Sequence, residues 1–207
     1  MAINKTLKVV LVEPAGAINV GSVARLCENF SVHELRLVSP KCDYLAQEAK
    51  KMAVRGLKIL EKAKVYEDLN SALSDCSRII ATCGRKEHGE IPLNSNKDAL
   101  SWVLKSEREE TIALVFGRED RGLSNEELLK ANKVISLNTS EDYPSLNLSH
   151  AVAIVLHQFN QLNDLDLLKH HTKTSSPANL IKLEDCINDA GSLLLDIGFL
   201  MKHTYKA

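Results

Sequence analysis

The positions of apolar and polar residues along the chain predict an alternation of strands and helices. Short runs rich in Val, Ile and Leu are separated by longer amphipathic segments. This alternation is typical of an α/β fold with a mainly parallel sheet flanked by helices. The runs predict strands at 8–12, 34–38, 78–82, 111–116 and 133–137, with a weaker strand at 64–66.

Helices are predicted where apolar residues recur every three or four positions. Such segments lie at 20–30, 45–62, 96–105, 125–131 and 148–162. The last of these is the clearest helix of the sequence. Its residues Leu148, Val152, Val155 and Phe159 keep the helical spacing through more than three turns.

The chain is predicted to divide into a domain at 1–162, a linker at 163–177 and a C-terminal helix at 178–207. The linker is polar and turn-prone, and Pro177 stands at the first position of the helix that follows it. That helix carries a heptad seam made of Leu180, Leu183, Ile187, Ala190, Leu194, Ile197 and Met201. We expect the seam to dock either on the same domain or on a second copy of the chain.

The composition is that of an ordinary globular protein, with 44% hydrophobic and 26% charged residues. No apolar run approaches the ~20 residues that cross a bilayer, and the N-terminus lacks the apolar region of a signal peptide. The five cysteines include no C-x-x-C pair, which argues against a disulfide framework and against a zinc site. The chain is therefore predicted to be cytoplasmic, with free thiols, no metal and no membrane contact.

The formal net charge is only −1, so any nucleic-acid surface has to be local. One local candidate is the set Lys51, Arg55, Lys58 and Lys62, whose spacings of 4, 3 and 4 place them on one face of a helix. Charge alone favours reading this set as an ordinary solvated face. A role in binding RNA is the alternative.

Three loops combine polar residues and glycine after predicted strands, and open α/β sheets bind ligands at the carboxyl ends of their strands. In chain order they read N-x-G-x-x-x-R at 19–25, F-G-x-E-x-x-G-L at 116–123 and Y-P-S-L-N-L at 143–148. Each also has a purely structural interpretation. Asn19 could cap the helix after it, Ser124 and Glu127 form a capping box, and Ser145 or Asn147 could cap the helix at 148.

Taken together and in this order, the three motifs resemble the signature motifs of the SpoU/TrmH branch of the SPOUT RNA methyltransferases. The resemblance covers residues 7–162. Within that branch the chain is most similar to the TrmJ subgroup, because of the segments E-D-Y-P-S-L-N-L and L-V-E-P-A-G-A-I-N-V-G-S-V-A-R.

The resemblance implies an enzyme that uses S-adenosylmethionine to methylate a ribose 2′-hydroxyl in the tRNA anticodon loop. It also implies a deep trefoil knot in the C-terminal part of the domain, and an obligate homodimer in which the catalytic arginine lies near the partner's cofactor. TrmJ-like proteins often carry a longer C-terminal extension that grips tRNA. The shorter segment here leaves ribosomal RNA open as an alternative target.

The resemblance also assigns residues to the cofactor. These are Thr82, Cys83, Gly84, Gly117, Ile135, Leu137, Ser145, Leu146 and Asn147. Gly117 is expected to let the backbone approach adenosylmethionine closely, because it has no Cβ. Core packing is an alternative role for Ile135, Leu137 and Leu146.

The residues predicted to take part in catalysis are Arg25, Asn19, Glu119, Tyr143, Ser145 and Asn147. Arg25 is expected to orient an RNA phosphate or to stabilise the developing alkoxide, because a guanidinium is a poor base; the proton acceptor is left open. Glu119 is expected to brace its own loop rather than to orient Arg25. Tyr143 either touches cofactor or ribose or packs as an aromatic. Further phosphate contacts are predicted for Arg85, Lys86, Arg118 and Arg121.

Two other function classes compete with this hypothesis. One is a non-catalytic RNA-binding protein on the same scaffold, against which the complete set of polar motif residues argues. The other is a dinucleotide-dependent oxidoreductase, which is disfavoured because the sequence contains no G-x-G-x-x-G fingerprint.

Overall fold

The computed structural model describes residues 6–84, 91–104, 110–137, 139–140, 142–143, 145–168 and 180–199. Within them a six-stranded sheet has the order β3-β2-β1-β5-β4-β6, and every neighbouring pair is parallel. The strands are β1 (Thr6–Val12), β2 (Glu34–Val38), β3 (Lys64–Tyr66), β4 (Arg78–Thr82), β5 (Thr111–Phe116) and β6 (Lys133–Ile135). All six predicted strands are confirmed, although β6 ends two residues before the predicted position.

The helices cover the two faces of this sheet or follow it. They are α1 (Ala17–Asn29), α2 (Gln47–Ala53), α3 (Leu57–Glu61), α4 (Leu69–Leu73), α5 (Asn96–Leu104), α6 (Asn125–Leu128), α7 (Leu148–Leu168) and α8 (Leu180–Asp196). Helix α4 was not predicted, although the sequence contains its start signal. The Asp68 carboxylate accepts a hydrogen bond from the backbone N–H of Ser71 at 3.0 Å, as an N-cap does.

The single helix predicted at 45–62 is wrong, because the segment is broken into α2, a 3₁₀ turn at Val54–Gly56 and α3. The backbone changes direction at Val54, whose φ of 49° is unusual for a β-branched residue. Gly56 then packs against α1, where an added Cβ would lie 2.3 Å from the carbonyl oxygen of Ala24. The requirement for this close approach cannot be read from helical periodicity.

Both faces of the sheet are buried, which is why its central strands read as continuous apolar runs. In β1, Val9 and Leu11 belong to the core beneath α1, α5 and α7, while Val10 and Val12 belong to the core beneath α4 and α6. A side chain's face alternates at each residue of a strand. Neither face of β1 therefore tolerates a polar residue in mid-strand.

An ion-pair cluster lies near the amino ends of the strands, the end of the sheet that carries no motif loop. The guanidinium of Arg36, which is 1% exposed, donates to Asp75 at 2.6 and 2.8 Å and also pairs with Glu34. Lys8 donates to Asp75 at 2.6 Å, and Lys64 lies 2.5 Å from Glu34. The hydrogen bond from Arg36 is the main reason why the pKa of the Asp75 carboxyl is far below its ordinary value.

Because the pKa of Asp75 is lowered on folding, the carboxylate contributes stability that is complete above its unfolded pKa of ~3.9 and is lost as the pH falls below it. We expect Asp75→Asn to lower the free energy of unfolding at pH 7 by about 1–3 kcal/mol, after allowance for solvent screening of a half-exposed group. The variant should also lose less stability than wild type between pH 5 and pH 2. Urea unfolding across this range measures both effects. Asp98→Asn, which removes a carboxylate outside the cluster, should behave like wild type, and an equal acid response in all three proteins would contradict the assignment.

The chain divides into two compact units, Met1–Leu167 and Leu168–Ala207. The helix predicted at 148–162 extends further than expected, to Leu168, so the first residues of the predicted linker are helical. Residues 169–177 lie outside the described part. In the second unit, Ile187 and Leu193 of α8 and Ile197 just after it are exposed. The docking partner of α8 stays a prediction.

No helix in the described part of the chain is long and apolar enough to cross a membrane.

Candidate active site

The three motif loops converge at the carboxyl ends of the strands. A cavity of about 350 Å³ lies there. Its walls are Thr82–Gly84 after β4, Phe116–Gly122 after β5, Leu137 after β6, and Ser145, Leu146, Leu148 and Ala151 around the start of α7. The structure therefore brings together these predicted cofactor residues: Thr82, Cys83, Gly84, Gly117, Leu137, Ser145 and Leu146.

Two of the predicted cofactor residues are not on this wall. Ile135 is fully buried in the core, and its carbonyl accepts a hydrogen bond from the N–H of Cys83 at 2.8 Å. The core-packing alternative therefore describes the Ile135 side chain. Asn147 lies on a neighbouring cavity of about 670 Å³ with Tyr143 and His150. The two cavities share Glu119, Ser145 and Leu146.

The three motifs are joined by hydrogen bonds between side chains that are over a hundred residues apart. The Glu119 carboxylate accepts from the side-chain amide of Asn19 at 3.1 Å. The same carboxylate accepts from the backbone N–H groups of Ala15 and Gly16 at 3.0 and 3.1 Å. Asn147 in turn donates its side-chain N–H to the amide oxygen of Asn19 at 3.0 Å. Asn19 is therefore the link between the first, second and third motifs.

This arrangement corrects the capping role suggested for Asn19. Helix α1 begins at Ala17, so Asn19 lies inside its first turn, and the N-cap Gly16 has no side chain to offer. Glu119 supplies the missing acceptor from another loop, where a negative charge also suits the positive end of the helix dipole. The prediction that Glu119 braces rather than orients Arg25 agrees with these contacts, but the element that it braces is α1.

The charge of Glu119 is stabilised by the same contacts. Burial by itself raises the pKa of this carboxyl, but the hydrogen bonds from Ala15, Asn19 and Gly16 outweigh burial and hold the pKa below its ordinary value. Glu119 is therefore an anion near neutral pH. It serves as an acceptor that fixes Asn19 rather than as a proton donor.

Asn147 also caps α7. It is one of the two residues that were predicted as possible caps of this helix. Its side-chain oxygen accepts from the backbone N–H groups of Ser149 and His150 at 2.9 and 3.4 Å, and from the Ser149 hydroxyl at 2.7 Å. Its N–H remains for Asn19. One amide thus holds the start of α7 against the first turn of α1.

Gly117 lines the first cavity, and its predicted role beside the cofactor stays a prediction. A second requirement for glycine comes from its own loop. A Cβ at this position would lie 2.2 Å from the carbonyl carbon of Gly122 and 2.3 Å from the nitrogen of Leu123. The glycine is therefore required by the tight fold of its own loop, in which Arg118 and Gly122 exchange backbone hydrogen bonds. At Gly84, by contrast, an added Cβ would meet no atom of the described residues within 4 Å.

Arg118 is a structural brace, so the predicted phosphate contact is wrong for this residue. Its guanidinium is 13% exposed and pairs with Glu13 at 2.8 Å and with Glu127 at 2.9 Å. Hydrogen bonds to these two carboxylates raise its pKa further above the ordinary value. Glu127 also completes the predicted capping box with Ser124, which is confirmed. Arg121 remains on the surface, and Arg85 and Lys86 lie outside the described residues.

Arg25 is exposed on α1, about two turns after Asn19. Its backbone nitrogen would lie 2.7 Å from a Cβ built on Gly56, so α1 and the 3₁₀ turn are in close contact at this residue. Close packing on this side fixes the backbone from which Arg25 projects. Tyr143 is 77% exposed, so the structure does not support packing as an aromatic core residue.

Several lining residues were missed by the sequence analysis. They are Phe116, Asp120, Leu148 and Ala151 in the first cavity and Thr139, Ser140 and His150 in the second. Phe116, Asp120 and Leu148 belong to the motifs themselves. His150 had a readable signal, because it stands one helical turn after Asn147.

The cavity fits a nucleoside joined to a short polar chain. Its volume lies in the range of small-molecule sites. Apolar surface from Leu137, Leu146 and Leu148 suits an adenine ring, while the backbone of Thr82–Gly84 and the open space above Gly84 leave room for the rest of the ligand. Within the described residues no cluster of His, Cys, Asp or Glu could hold a metal ion.

The chain is similar to named RNA methyltransferases in sequence. It is 41% identical over 156 residues to the tRNA (cytidine-2′-O-)-methyltransferase TrmJ of Methanocaldococcus jannaschii, covering 73% of this chain and 66% of that protein. It is 36% identical over 179 residues to the protein of the same name from Sulfolobus acidocaldarius, covering 85% of this chain and 73% of that protein. The matches thus span about two thirds to three quarters of these relatives.

Solved structures agree with the sequence matches. The structure of TrmJ from Z. mobilis ZM4 has a TM-score of 0.69 at 26% identity and covers 95% of this chain and 82% of that one. A probable methylase family protein from Haemophilus influenzae has a TM-score of 0.71 at 28% identity, with the same coverage. The model of the SpoU rRNA Methylase family matches residues 6–157, which include all three motif loops. The chain therefore belongs to the SpoU rRNA methylase family.

Proposed function

We propose that this chain is an S-adenosylmethionine-dependent methyltransferase that methylates a ribose 2′-hydroxyl of tRNA. The observation that carries the proposal is that the second and third motifs line one cavity of nucleoside size, while Asn19 joins the first motif to both of them by hydrogen bonds. The TrmJ names of the relatives from M. jannaschii and S. acidocaldarius support tRNA over ribosomal RNA as the substrate.

The residues of the first cavity hold the cofactor, with the loop after β4 and Leu137 around the adenine and the loop after β5 beside the amino-acid part. When bound, adenosylmethionine supplies an electrophilic methyl group on a positively charged sulfur. Ser145 borders both cavities. The ribose enters from the second cavity, which Tyr143 and Asn147 line.

Arg25 positions the RNA for this transfer. Its guanidinium binds a phosphate or stabilises charge that develops on the attacking oxygen. Glu119 and Asn19 are positioning residues, because they fix the first turn of the helix that carries Arg25. Holding both reactants in line is the main contribution that a protein can make to such a transfer.

Two copies of the chain form the active unit. Ile18, beside Asn19 on α1, is 49% exposed, and Ile154 on α7 is 38% exposed. Helices α1 and α7 pack into the same core on one face of the sheet, and the hydrogen bond between Asn19 and Asn147 holds their starts together. Burying such side chains against a partner is favourable by roughly 25 cal/mol per Å².

The dimer gives a direct prediction. Sedimentation at micromolar concentration should give twice the chain mass of 22.9 kDa for wild type, and Ile18→Asp should sediment as a monomer, because the dimer would bury an unpaired charge. Leu129→Asp on the other side of the sheet, where Leu129 is 71% exposed, should remain dimeric. A monomeric wild type, or an Ile18→Asp dimer of undiminished affinity, would exclude this interface.

A trefoil knot at the C-terminal part of the domain is also part of the proposal. The chain passes from β4 inward to β5, returns outside β4 to form β6, and then re-enters the site at Ser145. On such a path the segment after β6 crosses the loops after β4 and β5, and this crossing makes the knot. The same loops form the walls of the proposed cofactor site. Knotted connections are rare in proteins, so local sequence preferences cannot predict them.

The proposal is tested by mass mapping of tRNA incubated with the purified protein and adenosylmethionine carrying a labelled methyl group. A label on ribose in tRNA supports it. A label on a base, a label confined to ribosomal RNA, or binding of RNA without any transfer would each contradict it, and the last result would favour a non-catalytic RNA-binding protein.

A further inference from the structure

Some basic side chains form ion pairs with carboxylates, whereas those on one surface do not. On the strands and around the second motif, Lys8, Arg36, Lys64, Arg78 and Arg118 all lie within ion-pair distance of carboxylates. On α2, the 3₁₀ turn and α3, the side chains of Lys51, Arg55, Lys58 and Lys62 are exposed, and none forms an ion pair within the described part of the chain. Their charges are therefore available to bind an anionic ligand.

The local charge is strongly positive in a protein that is nearly neutral overall. Residues 50–62 contain five basic side chains and one acidic side chain, Glu61, while the whole chain has a formal net charge of −1. A solvated face that only keeps a protein soluble usually mixes both signs. A local excess of cations is instead typical of a surface that binds a polyanion.

This surface is continuous with Arg25. At two glycines the backbone of a neighbouring segment occupies the space that a Cβ would need. Gly21 of α1 packs on the carbonyl of Ala49, and Gly56 packs on the backbone of Ala24 and Arg25. Arg55 immediately precedes Gly56, so it lies at the crossing where α1 carries Arg25. Because these contacts are between backbones, the segments that carry Lys51 and Arg55 pack directly against the helix that carries Arg25.

We infer that Lys51, Arg55, Lys58 and Lys62, together with Arg25, form a track that binds the phosphodiester backbone of the RNA substrate outside the reacting nucleotide. This inference rests on the proposed function for the identity of the polyanion. The track neutralises phosphates and sets affinity and register, whereas the choice of nucleotide is made at the cavities. It continues the site from α1 over α2 to α3.

The test is direct binding of unmodified tRNA to the whole protein in the absence of adenosylmethionine, measured between 50 and 300 mM salt by fluorescence anisotropy. Each phosphate contact contributes about 0.7–0.9 to the slope of log affinity against log salt. We expect Lys51→Gln/Lys58→Gln to reduce that slope by about 1.4–1.8 and to weaken binding about tenfold or more at low salt.

The matched control is Lys97→Gln/Lys130→Gln, which removes the same charge from exposed lysines on α5 and just after α6. It should keep the wild-type slope, and the cofactor dissociation constant should be the same in all three proteins. A wild-type slope in Lys51→Gln/Lys58→Gln, or an equal loss in the control pair, would overturn the inference. Failure of the proposed function appears separately, as tRNA binding without methyl transfer by the wild type.

Discussion

Replacing Arg25 with alanine should lower methyl transfer to tRNA by about 100- to 1000-fold, the range seen when one charged or polar group that acts in a transition state is removed. The dissociation constant for adenosylmethionine should stay close to the wild-type value. The reason is geometric: Arg25 is exposed on α1 and is not among the residues that line the first cavity, while it lies next to the basic surface of α2 and α3. Single-turnover transfer and calorimetry measure the two quantities.

Arg25→Lys is the informative companion variant. It keeps the positive charge but loses the planar fork that binds a phosphate through two parallel hydrogen bonds. An intermediate rate would indicate that charge and geometry both contribute. Loss of cofactor affinity in step with the loss of transfer would contradict the assigned role, because it would show that Arg25 acts by maintaining the cofactor cavity.

Replacing Gly117 with alanine should weaken cofactor binding by about tenfold or more. Each 1.4 kcal/mol of strain that the loop cannot relieve lowers the affinity about tenfold. The added Cβ would lie 2.2 Å from the backbone of Gly122, so the loop after β5 has to shift. That loop forms one wall of the cavity and carries Glu119. The melting temperature is expected to fall as well.

Gly84→Ala is the matched variant, because an added Cβ there meets no atom within 4 Å among the residues that the structure describes. The melting temperature without cofactor should equal that of the wild type, while the affinity for adenosylmethionine should fall, since the methyl group occupies the space assigned to the ligand. Calorimetry and thermal unfolding separate the two variants. Unchanged cofactor affinity in both would place the cofactor elsewhere.

Much of the fold was readable from local patterns. The six strands and most helices follow from runs and periodicities within about ten residues, and the capping box at Ser124 and Glu127 is a local signal as well. The break at Val54 was not predicted, because the sequence there continues a helical pattern. What interrupts it is the approach of Gly56 to a different helix.

The candidate site shows the same division. The motif residues were identified, but several of the physical reasons assigned to them were wrong. Asn19 connects the three motifs instead of capping a helix, and Arg118 neutralises two carboxylates instead of a phosphate. Gly117 is also required by the fold of its own loop, which the sequence analysis did not foresee. Each correction involves a partner that sequence order does not reveal.

The sequence by itself determined the element types, the parallel α/β class and the identity of the three motifs, because side-chain periodicity and motif spacing are local properties of the chain. Only the tertiary structure decided which residues meet. The order β3-β2-β1-β5-β4-β6 brings Asn19, Glu119 and Asn147 into hydrogen-bond contact across more than a hundred residues. Such contacts depend on how strands pair and how closely helices pack, and both are set by the burial of the whole core rather than by any one segment.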